Sequence, residues 1–183
     1  MSMKPRQRQA VLLQLVNGMS EHGSWCGETH VQKAAYFLKE LTAIPLELDF
    51  ILYKHGPFSF DLRDELTAMQ ADGLLQMRIQ QPPYGPSLKP TNNGEELMRR
   101  WPVTLKRNHK RIEFVANRLG PLRVTELERL ATALYVTKED PGMDAETRAQ
   151  RVNALKPHVS VMEARTAINA IDDMIKECPS TMA

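Results

Sequence analysis

The chain has 183 residues, 42% of them hydrophobic and 25% charged, with a formal net charge of +2. This length and hydrophobic content supply one well-buried core, and the ordinary charged fraction excludes wholesale disorder. The small net charge does not by itself mark a nucleic-acid binder, and two distant cysteines, Cys26 and Cys178, exclude a disulfide scaffold.

The opening, Met1 to Gln9, is polar and basic, and the apolar stretch from Ala10 to Val16 is too short for a membrane span. With no cleavage site or lipidation motif in view, a cytoplasmic location without membrane contact is expected. Residues 5–21 read as the first helix. Pro5 suits a first turn, and Val11, Leu12, Leu15, Val16 and Met19 form one apolar stripe. After a loop at 22–27, Val31, Ala34, Ala35, Leu38 and Leu41 recur at helical spacing and predict a second helix over 28–42.

Residues 47–53 alternate Leu48, Phe50 and Leu52 with the rest and read as a short strand. Lys54 to Ser59 then reads as a turn set by Gly56-Pro57. Ser59 is placed to cap a third helix over 60–72, where Leu62, Leu66 and Met69 share a face and Gly73 is the stop. Strands follow at 74–80 and 88–90, joined by Gln81-Pro82-Pro83-Tyr84-Gly85-Pro86-Ser87. Asn92 and Glu95, spaced like a capping box, open a helix over 92–100. Helix, strand, loop, strand, helix is the winged-helix order, with the proline-rich loop as the wing.

The second half reads as all helical. A helix over 103–119 follows the Pro102 break, and Thr125 with Glu128 predicts a capping box for 126–138. Asp144 caps 145–155, and Ser160 with Glu163 caps a last helix to about 177. The expected fold class is mainly α with a small β-hairpin wing: a winged-helix-like unit over 1–101 and a helical half over 102–183, packed as one unit.

The run Gln32-Lys33-Ala34-Ala35-Tyr36-Phe37-Leu38, then Asp49-Phe50, then Tyr53 with Gly56-Pro57-Phe58-Ser59, and Gly73-Leu74-Leu75, resembles the YwgA-like and Panacea-type proteins, a phage-associated, antitoxin-like family. Leu127-Glu128, Ala131 to Tyr135, and Leu155-Lys156-Pro157-His158 also resemble that group, so the likeness runs from about 28 to 175. The resemblance implies a protein that neutralises a partner toxin or, as an adaptor, presents it to a protease. It implies no catalytic residues. The helical second half is fuller than in a plain antitoxin. Gln32, Lys33, Tyr36, Tyr53, Gly56, Pro57, Phe58 and Ser59 carry the motif, and a structural role is expected of them.

Chemistry-bearing residues are sparse. His22, Cys26 and His30 are spaced by four, but Gly23 and Gly27 argue for a loop and a fourth zinc ligand is missing. His55 lies beside a tight turn with no nucleophile motif, and His158 sits in a helix turn, so no general base is assigned. Neither phosphate-loop pattern occurs. No cofactor, metal or catalytic residue is therefore expected, and the chain reads as a non-enzyme.

Two charged faces remain. Lys106, Arg107, Lys110, Arg111 and Arg118 fall within one sector of the 103–119 helix, opposite Leu105, Ile112, Val115, Ala116 and Leu119. The third helix carries Asp61, Asp64, Glu65 and Asp72 against Arg63 alone, a charge pattern that DNA phosphates repel. Tyr84 in the wing can stack on a base or on a partner side chain. The expectation is a regulatory protein-interaction module, antitoxin- or adaptor-like, with partner-binding candidates Asp61, Arg63, Asp64, Tyr84, Lys106, Arg107, Lys110 and Arg111. The alternative is a winged-helix DNA-binding regulator in which the basic stripe meets nucleic acid. The oligomeric state is left open.

Overall fold

The computed structural model describes residues 3–81 and 85–179. Pro82, Pro83 and Tyr84 of the predicted wing lie outside the described residues. The fold is mainly helical with two small antiparallel hairpins.

Helix α1 (Pro5–Glu21) starts at Pro5 and buries the whole predicted stripe. Helix α2 (Glu28–Glu40) is more enclosed than a stripe predicts, because every residue from His30 to Leu38 is buried. It packs against α1 and against four elements described below, so it is covered on all sides. The polar residues on it, His30, Gln32 and Lys33, are therefore under pressure to find internal partners.

The predicted 47–53 strand is corrected. Ile44, Leu46 and Leu48 are buried in alternation with exposed neighbours, but 43–50 has no ladder partner. Alternation reports which side chains face the core; a strand also needs a neighbour for its backbone groups. That neighbour exists only for β1 (Ile51–Tyr53), which pairs with β2 (Gly56–Phe58), a segment read from sequence as a turn. Tyr53 lies opposite Gly56 and Ile51 opposite Phe58, so the turn itself is Lys54-His55. Gly56 meets the geometry with φ of 87°.

Helix α3 (Phe60–Ala71) is capped as expected, the Leu62 amide donating to Ser59 Oγ at 3.1 Å. Strands β3 (Leu75–Arg78) and β4 (Ser87–Pro90) form the second hairpin. Helix α4 (Asn92–Arg99) is capped one residue earlier than predicted, by Thr91, whose Oγ1 accepts from the Gly94 amide. Helix α5 (Pro102–Leu119) lies along α1. Helix α6 (Val124–Glu139) also starts early: Glu126 accepts from the Arg123 amide, so Thr125 and Glu128 are inside the helix and form no box. Helices α7 (Ala145–Leu155) and α8 (Val161–Glu177) start at the predicted caps, Asp144 and Ser160.

One cluster of buried hydrophobic residues extends from α1 to α8, with α2 at its centre and α6 joining α2 to α7 and α8. Among the described residues, no helix is long and apolar enough to cross a membrane.

Candidate protein-docking site

The motif residues meet in space. Gln32 on α2 reaches the junction of β2 and α3, where its Nε2 donates to the Ser59 carbonyl at 2.8 Å and its Oε1 accepts from the Ser59 amide at 2.9 Å. The adjacent Lys33 donates from Nζ to the Pro57 carbonyl at 2.9 Å. Burial pulls the Lys33 pKa down to about 8; Glu128 opposes that shift and Lys156 adds to it. Tyr36 is in the core, edge-on to Phe50 with ring centroids 5.2 Å apart, and its burial raises the phenol pKa.

A second set of contacts holds the hairpin from the other side. Lys156, just past α7, donates to the carbonyls of Tyr53 and Lys54. His55 Nδ1 lies 3.2 Å from Glu128 of α6. The hairpin is thus fixed by α2, α6 and the end of α7 together.

This frame presents aromatic surface. Tyr53 is 54% exposed, Ile51 49% and Phe60 41%. Tyr53, Phe58 and Phe60 form a three-ring cluster with centroid separations of 5.1–5.8 Å. The Arg63 guanidinium sits 5.0 Å from the Phe60 ring centroid and 3.3 Å from Asp64. Asp61 accepts from the Asp49 amide at 3.4 Å. Sequence reasoning named Asp61, Arg63 and Asp64 for binding, and Tyr53 and Phe58 only as structural motif. Ile51 and Phe60 were missed. A signal was present for Phe60: a large apolar residue directly after a helix cap, off the Leu62–Leu66–Met69 face.

The α3 acids divide. Glu65 pairs with Arg8 at 2.7 Å and Asp72 with Arg6 at 3.1 Å, both across to α1. Only Asp61 and Asp64 are left to shape the outer face.

The basic stripe on α5 is narrower than predicted. Lys106, Arg107 and Lys110 are exposed and have no ion-pair partner among the described residues. Arg111 is buried and is corrected from a surface to a structural role: it donates to the Thr42 carbonyl at 3.2 Å and to Asn108 Oδ1 at 2.6 Å. Its burial, then the nearby Arg107, lower its pKa. Arg118 pairs with Glu177 of α8.

His22, Cys26 and His30 do not converge. His22 Nε2 lies 2.7 Å from Glu113, and the buried Cys26 thiol, its pKa raised by burial, donates to the Val16 carbonyl. Among the described residues, no three His, Cys, Asp or Glu side chains are grouped to hold a metal. No protein-family model matches the chain, and no curated protein is significantly similar to it.

Proposed function

We propose that this chain is a non-enzymatic regulatory module that binds a protein partner through the Ile51–Tyr53–Phe58–Phe60 face, in the antitoxin- or adaptor-like manner that its sequence resemblance implies for a prokaryotic stress or phage-related system. The observation carrying this reading is the cluster of the exposed Tyr53 and Phe60 rings around the half-buried Phe58, at a hairpin that buried hydrogen bonds hold in place. Aromatic rings and arginine dominate the energetics of protein interfaces, and a surface already ordered loses little entropy on binding. Asp61 and Asp64 flank the rings, so the partner we assign presents an apolar anchor beside cationic residues.

In the same reading, α1, α2 and α3 with the β3–β4 hairpin form a winged-helix-like unit over 1–101, and 102–183 is its helical companion. The helix that would enter a DNA groove carries acids on its outer face, which disfavours duplex binding there.

The test uses a photo-crosslinking amino acid at Tyr53, followed by reconstitution of the crosslinked protein with this chain. Tyr53→Ala with Phe60→Ala, and separately Asp61→Lys with Asp64→Lys, should each weaken the purified complex at least about tenfold, equivalent to about 1.4 kcal/mol. Lys106, Arg107 and Lys110 changed together to Ala should leave it intact. Those three unpaired cations favour a second reading, a DNA-binding regulator. Sequence-selective duplex binding that the triple variant loses, together with its salt slope, would establish that reading instead.

A further inference from the structure

A cleft of about 340 Å³ lies between the start of α2, one side of α3 and the β3–β4 hairpin. Its size is within the range of small-molecule sites. Its walls divide by chemistry. Leu66, Met77 and Leu88 supply an apolar side. The opposite wall is the first turn of α2, residues Gly27 to His30.

That turn is short of acceptors. The α2 N-cap is Gly27, which has no side chain with which to cap, and the first intrahelical bond is from Val31 to the Gly27 carbonyl. The amides of Glu28, Thr29 and His30 therefore precede the helical ladder, and the helix dipole adds partial positive charge where they emerge.

An independent observation points to the same place. The His30 side chain is 6% exposed, and its Nδ1 has no hydrogen-bond partner among the described residues. A buried ring nitrogen without a partner is costly unless something else satisfies it. Nδ1 lies beside the helix start, 3.6 Å from where a Cβ on Gly27 would stand, a point that also has the Trp25 ring at 3.3 Å and the Pro86 carbonyl oxygen at 3.6 Å. Desolvation lowers the His30 pKa below its ordinary 6.5, so the ring is neutral at pH 7 and has one N–H to donate. Arg63 supplies a cation on the α3 wall, and the exposed Glu28 is the opposing charge.

We propose that this cleft binds a small organic acid, its carboxylate on the first-turn amides of α2 and His30 Nδ1 and its apolar body against Leu66, Met77 and Leu88. Helix starts accept carboxylates for the reasons given above. This goes beyond the docking face and does not depend on it, although Arg63 borders both.

The experiment is a titration of the isotope-labelled full chain with phenylacetate, hexanoate and indole-3-acetate, each compared with its neutral amide, followed by NMR. At least one acid should give saturable shifts of the Glu28, Thr29 and His30 amides, with its amide counterpart binding at least about tenfold more weakly. The His30 ring nitrogens of the unmodified protein should shift in the same titration, which keeps the test independent of any variant. His30→Phe, which preserves bulk and removes the nitrogens, should weaken the acid about tenfold. Shifts that never saturate, equal binding of acid and amide, or a His30 ring that does not respond would each overturn the proposal.

Discussion

Gln32 and Ser59 exchange two buried hydrogen bonds, the Gln32 amide reading both the N–H and the C=O of one backbone residue at 2.9 and 2.8 Å. Both residues are fully buried, so neither bond has water as a substitute. This pairing locks the end of the β1–β2 hairpin and the start of α3 to the central helix.

Removing the pair should be expensive. Gln32→Leu leaves the Ser59 N–H buried without a partner, while the Ser59 carbonyl keeps only the Arg63 amide, so a loss of about 1–3 kcal/mol is expected in chemical denaturation. A denaturation midpoint unchanged in Gln32→Leu would contradict the assigned role.

Lys33 makes stability depend on pH. The unfolded chain holds this proton up to about 10.5 and the folded chain only up to about 8, so between those values the unfolded state binds more protons. Stability therefore rises as pH increases from about 8 to about 10.5, and the cost of burying the charge is felt in full below 8. The gain is on the order of 3 kcal/mol at 1.36 kcal/mol per unit. Lys33→Met should remove that rise, which urea titrations across the alkaline range would measure.

Gly56 is constrained twice. Its φ of 87° lies in the region that L side chains resist, and an added Cβ would stand 3.1 Å from Thr132 Oγ1 of α6. Gly56→Val should destabilise the protein by about 1–3 kcal/mol. A melting temperature equal to that of the parent would refute this.

Arg111 and its neighbours should separate cleanly. Arg111→Ala removes both the bond to the Thr42 carbonyl and that to Asn108, leaving buried groups unsatisfied, and should cost about 2–3 kcal/mol. Lys106, Arg107 and Lys110 changed together to Ala are exposed losses, expected within about 0.5 kcal/mol each. Equal thermal shifts for the two variants would mean that Arg111 does not anchor α5.

Reversing Asp61 and Asp64 to Lys should leave the fold in place, because both are exposed and off the buried Leu62–Leu66–Met69 face. The acid lost from the first turn favours the helix dipole by about 0.3–1 kcal/mol, and circular dichroism should show a melting shift of that order with helix content retained.

Local chemistry made much of this protein legible from its sequence. Pro5, Ser59, Asp144 and Ser160 start helices through contacts reaching at most three residues along the chain, and the α1 stripe follows from helical period alone. Where competing caps lay one or two residues apart, at Thr91 and Arg123, the local signal was ambiguous and the boundary moved. Tertiary structure alone decided the rest. Gly56–Phe58 became a strand because β1 folds back onto it and Gln32 and Lys33 hold it from another element. Arg111 left the basic face because the chain after α2 brings the Thr42 carbonyl over it. The rings of Tyr53, Phe58 and Phe60 came together because the hairpin turns at Lys54-His55 and sets Tyr53 beside the other two. Those outcomes depend on partners in other elements, up to 69 residues away, and periodicity within a single element carries no information about contacts between elements.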